Sequence, residues 1–192
     1  MLDKINQDKE SEMAIEKTDK IHVIDVSIVG IAALLQNKFV EGLGKPDPND
    51  SDKKIAEKVL YLDVKGIVVQ PAEHIEAAMA KAGVQFKMKG QGKKTYKDFV
   101  KSGVFITPEL IPHDKQKWVV DKRRVVIGKA SIMRRRPMFT GWSLKFVIDV
   151  INPEIDLEVL RKILDYAGKF IGIGDQRPKY GRFTVTDWKI RK

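Results

Sequence analysis

The chain has 192 residues, of which 43% are apolar, and this length and composition suit one globular domain with a sizeable core. It contains no cysteine and three histidines, which excludes disulfides, thiolate metal sites and a cysteine nucleophile and leaves little for a zinc cage. No stretch reaches the roughly 18 apolar residues of a membrane span, and the acidic start lacks a signal-peptide core. We therefore expect a cytoplasmic protein with no membrane association and no cofactor.

The net charge of +10 is distributed unevenly along the chain. Residues 1–20 hold four lysines against six acidic residues, which predicts a flexible acidic tail. Residues 87–145 hold sixteen Lys or Arg against four Asp or Glu, a net +12 that exceeds the charge of the whole protein. Such a concentration attracts a polyanion, and nucleic acid is the commonest one inside cells. The alternative is a solvated basic surface that keeps the protein soluble.

The first elements after the tail are a strand and a short hairpin. Ile21–Ile31 alternates β-branched and polar residues with period 2, which predicts the first strand. This strand is expected to open a single domain that spans residues 21–192. Residues from about 40 to 58 are rich in Gly, Pro, Asn and Asp, which indicates an irregular insertion. Leu60–Val69 is typical of a short hairpin.

The segment 71–83 predicts the first helix. Pro71 suits a first helical turn, and Gly83 suits a helix stop. Near-helical spacing places five apolar residues on one face: Ala72, Ile75, Ala78, Met79 and Ala82. A second insertion is expected at about residues 86–117.

The second half of the chain predicts two strands, a helix and a final strand. Trp118–Met133, interrupted by Gly128, and Trp142–Val150 are separated by the turn-prone residues Pro137 to Gly141 and are expected to pair as a hairpin. A helix opening at Asn152 and Pro153 follows, with apolar residues at spacings of three and four: Leu157, Leu160, Leu164, Ala167 and Ile171. A glycine-bearing loop, 172–181, then leads to a last strand, Arg182–Ile190.

The order of these elements is β-α-β-β-α-β with insertions. This order is the ferredoxin-like or RRM-like α+β fold, an antiparallel four-stranded sheet with two helices on one face. The opposite face of the sheet is left free, and RRM domains bind single-stranded nucleic acid there. Since the same fold also serves enzymes and assembly modules, fold alone does not assign a function.

Three segments carry a resemblance to a known family: the closing pattern Ala167–Phe183 with its glycines and basic residues, the segment Ile28–Phe39 after the first strand, and Val69–Met79 ahead of the first helix. They resemble the RAMP superfamily, the RRM-like subunits of CRISPR effector complexes. The ending IGIGDxRPxxGRF is also similar to that of a group of uncharacterised phage proteins, which implies a phage or prophage origin and a bacterial or phage-infected host cell. The resemblance implies an RRM-like domain that binds nucleic acid and stacks side by side with other subunits.

The glycine-bearing loop is the first candidate binding site. Gly172 and Gly174 would let the backbone approach a phosphate, and Arg177, Lys179 and Arg182 would supply charge, with Tyr180 stacking on a base. The spacing matches neither a P-loop nor a dinucleotide-binding turn. The alternative is a helix stop followed by a tight turn.

Two further basic segments complete the candidate interface. The first is a flexible arm in which lysines would grip phosphates and an aromatic ring would stack: Lys93, Lys94, Tyr96 and Lys97. The second is a run of three arginines at the end of a hairpin, of which at least one or two must reach solvent: Arg134, Arg135 and Arg136. Under the alternative, Tyr96 anchors a small helix and the cations only face water.

The leading prediction is non-enzymatic, sequence-independent binding of RNA or single-stranded DNA, with homo-oligomerisation on the strand as a further expectation. One alternative is a self-assembling or partner-binding phage protein that does not use nucleic acid. Another is a metal-independent ribonuclease with a histidine as general base. The three histidines, His22, His74 and His113, lie far apart in the sequence, and none has a partner that the sequence identifies.

Overall fold

A computed structural model describes residues 22–41, 47, 49–128 and 130–191, without the side chains of residues 127 and 130. The predicted acidic tail, residues 1–20, lies outside the described residues. Within the described part, no helix is long and apolar enough to cross a membrane.

The described residues form strands and short helices in mixed order. The strands are β1 (His22–Gly30), β2 (Leu34–Leu35), β3 (Val69–Pro71), β4 (Val104–Thr107), β5 (Leu110–Pro112), β6 (Val119–Ile127), β7 (Ala130–Phe139), β8 (Ser143–Val150) and β9 (Phe183–Ile190). The α-helices are α1 (Asp52–Glu57), α2 (Glu73–Gly83), α3 (Tyr96–Gly103) and α4 (Leu157–Tyr166), and a π-helical turn, Ala167–Ile171, continues α4. The chain is therefore a mixed α/β fold.

The main sheet has four strands in the order β4-β8-β1-β9, and every pair is antiparallel. In β1 the burial alternates along the strand, with Ile24, Val26 and Ile28 fully or almost fully buried. This alternation confirms the predicted first strand and puts one face of the sheet against the core. The predicted last strand is also confirmed. It begins at Phe183, one residue later than expected.

The predicted partner of β8 is wrong. The second strand of the main sheet is β4, which lies within the segment expected to be an insertion, and β8 pairs with it. Instead of pairing with β8, β6 forms a long hairpin with β7, and β2 extends this hairpin into a separate three-stranded sheet. Gly128 has a positive φ of 59° and lies at the hairpin turn, so the glycine reverses the chain instead of interrupting one strand.

The turn expected around Pro137 is also placed differently. Pro137 lies inside β7, opposite Val120, and its carbonyl accepts a hydrogen bond from the Gln36 amide at 3.1 Å. The chain turns after Phe139, with Gly141 in a left-handed conformation. On this edge β7 pairs with β2, which has only two residues, and a proline is tolerated where strand pairing ends.

The two main helices cover the inner face of the sheet. In α4 the side chain of Asp156 caps the helix by accepting hydrogen bonds from the amides of Glu158 and Val159, so the helix starts after the predicted Asn152–Pro153 opening. Its apolar stripe is buried as the spacing predicted, and Leu160 and Leu164 belong to the same core as β1.

The ends of α2 differ from the prediction. Pro71 belongs to β3, which pairs with β5, so it does not form the first helical turn. Gly83 is the last residue of the helix, and no left-handed stop is formed there. A Cβ at this position would lie 2.9 Å from the backbone nitrogen of Lys97, which shows that α3 packs directly on this glycine. Gly83 is thus required for close packing of two helices.

Trp142 links the two sheets at the end of β1. Its side chain is 1% exposed, and its indole Nε1 donates a hydrogen bond to the carbonyl of Ala32 at 2.9 Å. A Cβ at Gly30 would lie 2.2 Å from that nitrogen, so the ring lies flat against the glycine. The ring also packs edge-on against Phe183. The chain leaves β1 towards β2 over this ring.

We predict that Gly30→Ala lowers the free energy of unfolding by about 1–3 kcal/mol, because the added methyl group forces the indole to move in a packed core. Urea unfolding monitored by near-ultraviolet circular dichroism measures this change. In the double variant Gly30→Ala/Trp142→Phe, the smaller ring should make the combined loss less than the sum of the single losses. Strictly additive losses would contradict the contact.

Candidate nucleic-acid interface

The β6–β7 hairpin presents basic residues on both of its faces. The register pairs Arg123 with Arg134 and Lys122 with Arg135. Residues directly opposite each other in an antiparallel ladder share a face, and neighbours along a strand point to opposite faces. The hairpin therefore separates its cations into two groups with different surroundings.

On one face, two of the cations are neutralised by α1. The carboxylate of Asp52 accepts from Lys122 Nζ at 2.8 Å and also from Arg135 Nε. These two hydrogen bonds hold the pKa of Asp52 below its usual value. The interactions attach α1 to the hairpin, so Arg135, predicted to contact phosphate, has a structural partner instead.

Arg136 is buried. Its side chain is about 3% exposed, and its Nη1 lies 3.0 Å from the Asp175 carboxylate in the glycine-bearing loop. The prediction that Arg136 contacts phosphate is wrong for this reason. Asp121 lies opposite Arg136 in the ladder and is also buried. Arg136 therefore joins β7 to the loop.

The other face carries Arg123 and Arg134, of which only Arg123 has a carboxylate partner among the described residues. Arg134 is half-buried and forms no ion pair with a carboxylate of the described residues. Opposite it, Arg123 bonds to Asp121, and its Cζ lies 5.0 Å from the ring centroid of Tyr180. Arg123 was not predicted from the sequence. Once the pairing of β6 with β7 is known, Arg123 lies opposite Arg134 and therefore on the same face.

The glycines of the loop serve packing. The amide of Gly181 donates to the Ala33 carbonyl at 2.8 Å, and the amide of Gly172 donates to the Ala167 carbonyl at 2.8 Å. Gly174 has a φ of 76°, and a Cβ there would lie 2.5 Å from the Leu35 carbonyl oxygen. The structure therefore favours the tight-turn alternative for Gly172 and Gly174 over phosphate binding through their backbone amides.

The basic side chains of the same loop face outward. Arg177 and Lys179 are exposed, and Lys179 Nζ lies 6.0 Å from the Tyr180 ring centroid. Arg177 lines a surface cavity of about 430 Å³ together with Lys81 and the exposed ring of Phe170. Arg182 is half-buried, and its Nε has no hydrogen-bond partner among the described residues.

We call the resulting surface the arginine face. It consists of two residues of the hairpin and three of the loop: Arg123, Arg134, Arg177, Lys179 and Tyr180. The stacking of Arg123 on Tyr180 and the ion pair of Arg136 with Asp175 hold the hairpin against the loop. The structure thus brings together two of the three segments that the sequence analysis selected.

The third segment, the lysine arm, lies on different elements. Lys93, Lys94 and Lys97 are exposed, but Tyr96 is 6% exposed and belongs to the core, so its predicted stacking on a base is wrong. Tyr96 starts α3, which packs on α2 and β4, whereas the hairpin packs on α1 and β2. The arm is therefore not a continuation of the arginine face.

The open face of the main sheet has mixed charge. Asp25 forms a bidentate pair with Arg191, and the hydrogen bond from Arg191 lowers the pKa of Asp25. Asp149 accepts a hydrogen bond from Thr107, and Asp187 is exposed on β9. Carboxylates on this face oppose the approach of phosphates, so a polyanion is attracted more strongly to the arginine face.

A buried polar cluster lies beneath the β3–β5 pair. The Gln36 amide donates to the Val69 carbonyl at 2.7 Å and lies 3.4 Å from His113 Nε2. His74 contacts Gln70, and its ring stands edge-on to Tyr61 with centroids 5.4 Å apart. The third histidine, His22, is half-buried at the start of β1.

Burial lowers the pKa values of both clustered histidines. The pKa of His113 falls to about 4, and that of His74 is lowered by burial and further by the charge of Arg177. Both rings are therefore neutral at pH 7. Among the described residues, no three His, Asp or Glu side chains are grouped closely enough to hold a metal ion.

No protein-family model matches the sequence, and no curated protein matches it. The fold is similar to that of a chain in the cryo-EM structure of the Type III-B Cmr-beta bound to cognate target RNA. The TM-score is 0.57, the sequence identity is 12%, and the match covers 98% of this chain and 67% of the other. At this identity the likeness concerns the fold. The architecture is therefore consistent with a RAMP-like fold.

We predict that protonation of His113 destabilises the protein below neutral pH. The folded pKa of about 4 lies below the unfolded value of 6.5, so the unfolded state binds more protons between these values. The contribution of His113 to the free energy of unfolding should be fully present above pH 6.5. It should fall by up to about 3 kcal/mol as the pH decreases towards 4. Denaturant unfolding of the parent and of His113→Gln measures this contribution, and equal pH slopes in the two proteins would contradict it.

Proposed function

We propose that the protein binds single-stranded RNA through the arginine face and catalyses no reaction. The observation that carries this proposal is the contact of Arg123 with Tyr180, which joins the hairpin cations to the loop cations in one surface. Guanidinium and ammonium groups there would contact phosphates, and these contacts read no base sequence. Tyr180 is half-buried, so part of its side chain remains accessible to a base.

The fold similarity supports RNA in preference to DNA, because the similar chain comes from a structure bound to target RNA. The order of the main sheet, with β1 between β8 and β9, supports a ferredoxin-like arrangement in which β4, β8 and β9 follow β1 as the second, third and fourth strands. We propose that the β6–β7 hairpin is an insertion between the second and third of these strands. This insertion carries seven of the sixteen Lys and Arg residues between positions 87 and 145.

We predict that Arg177→Ala/Lys179→Ala weakens RNA binding and reduces its salt dependence while folding is retained. Each phosphate contact to a single strand contributes about 0.7 to the slope of log affinity against log salt, so the slope should shrink by about 1.4. Both side chains are exposed, and exposed charges contribute about 0–1 kcal/mol each to stability, so the melting temperature should change little.

The matched control is Lys145→Ala/Lys189→Ala, which removes two exposed cations from the open face of the main sheet. Fluorescence anisotropy of a labelled single-stranded RNA over a range of salt concentrations measures both variants. The control should keep the parent slope. Equal slopes for all three proteins, or an affinity of the parent that does not fall with salt, would contradict binding through this surface.

Assembly without nucleic acid is the alternative, and sedimentation separates it from the proposal. We expect complexes whose mass increases stepwise with the length of the RNA, as copies bind side by side along one strand. A stable oligomer of the same size with and without RNA would favour the assembly function instead.

The His74–Tyr61 pair favours a second function, metal-independent cleavage of RNA. A neutral histidine beside a tyrosine could act as general base, and Arg177 brings positive charge near the ring. Against this, the Nδ1 atom of His74 is engaged by Gln70. We expect labelled RNA incubated with the protein and a chelator to stay intact, whereas cleavage lost in His74→Ala would establish the second function.

A further inference from the structure

A surface cavity at the base of the β6–β7 hairpin contains three lysines and a tryptophan. It has a volume of about 480 Å³ and lies beside the first pair of the ladder, Val119 and Met138. Its charged and aromatic lining residues are Lys53, Lys115, Lys117 and Trp118. This volume falls within the range of pockets that hold small ligands.

The cavity has a positive charge that the protein does not neutralise. Lys53, Lys115 and Lys117 are exposed, form no ion pair with a carboxylate of the described residues, and no Asp or Glu lines the cavity. The nearest carboxylates along the chain have other partners. Asp52 binds Lys122 and Arg135, and Asp114 accepts from the Ser143 hydroxyl at 2.7 Å. An anion would therefore be attracted without first displacing an internal partner.

The position of Trp118 is fixed by core packing and by the loop that precedes it. Trp118 is half-buried and packs on the core with part of its ring while the rest lines the cavity. The preceding loop is fixed by Gln116, whose Oε1 accepts from the Val68 amide at 2.6 Å and whose Nε2 donates to the His113 carbonyl at 2.8 Å. A ring held in this way can stack on a planar group with little loss of conformational entropy.

We propose that this cavity is a single-nucleotide subsite, in which a base stacks on Trp118 and its phosphate contacts Lys53, Lys115 and Lys117. The inference rests on the proposed RNA binding. The cavity and the arginine face lie on the same hairpin, four residues apart along β6, which corresponds to about 13 Å. One strand of RNA would thus run along the hairpin from the cavity to the glycine-bearing loop.

Tryptophan fluorescence tests the subsite directly. The variant Trp188→Phe leaves two tryptophans, Trp118 at the cavity and Trp142, which is 1% exposed and shielded from ligands. Titration with single-stranded oligoadenylate should quench the emission in parallel with the anisotropy change of the labelled RNA. The quench should disappear in Trp118→Phe/Trp188→Phe, while the melting temperature stays close to that of Trp188→Phe.

Affinity supplies the second readout. Stacking on one ring contributes enough that Trp118→Ala should weaken RNA binding roughly 5- to 100-fold, whereas Trp118→Phe, which keeps an aromatic face, should lose much less. The double variant Lys115→Ala/Lys117→Ala removes two of the three cations around this one phosphate and should reduce the salt slope by up to about 0.7. Titration with inorganic phosphate and with adenosine monophosphate separates a simple anion site, which would respond equally to both, from the proposed subsite, which would be quenched by the nucleotide alone.

The nucleotide subsite and RNA binding as a whole can be contradicted separately. RNA binding in the anisotropy measurement without a change in Trp118 emission, or with unchanged affinity of Trp118→Ala, would overturn the subsite and leave the arginine face standing. Absence of RNA binding by the parent protein at low salt would overturn the proposed function and the subsite with it.

Discussion

The ion pair between the buried Arg136 and the partly exposed Asp175 is the constraint on which the candidate interface depends. A guanidinium that is almost inaccessible to water is costly unless a carboxylate and hydrogen bonds compensate it, and here the carboxylate comes from the glycine-bearing loop. The pair therefore fixes the loop against β7. The backbone bonds from Gly181 to Ala33 and from Asp175 to Leu35 secure the same loop against the chain between β1 and β2. Removing the pair would release the loop cations from the hairpin.

Internal pairing decides which of the many cations can bind a partner. Lys122 and Arg135 are neutralised by Asp52 and attach α1 to the hairpin, so they contribute to architecture. Arg134, Arg177 and Lys179 have no carboxylate partner in the part of the chain that the structure describes, and their fields extend into solvent. The same contrast distinguishes the hairpin from the open face of the main sheet, where carboxylates are interspersed with lysines. Electrostatic steering therefore acts at the hairpin and the loop, on the surface that also contains Tyr180.

Local sequence patterns predicted several elements because their causes are local. The alternation in β1 and β8 and the spacing of Leu160 and Leu164 in α4 reflect which side chains face a core, and this requires no knowledge of the partner element. Strand pairing was beyond such patterns. A strand with period 2 pairs equally well with several others. The prediction therefore paired β8 with the segment Trp118–Met133 and not with β4, which has only four residues. Tyr96 and Arg136 were misassigned for a related reason, since their burial depends on residues distant in sequence.

The sequence alone determined the concentration of charge between residues 87 and 145, the existence of β1, β8, β9, α2 and α4, and the choice of loop cations as candidates. These properties follow from composition and short-range periodicity. Only the tertiary structure decided that Arg123 and Tyr180 meet, that Arg136 is a buried link, and that Trp118 lies among three lysines. Each of these depends on contacts between segments many residues apart, and such contacts are set by the packing of the whole core, which no local pattern encodes.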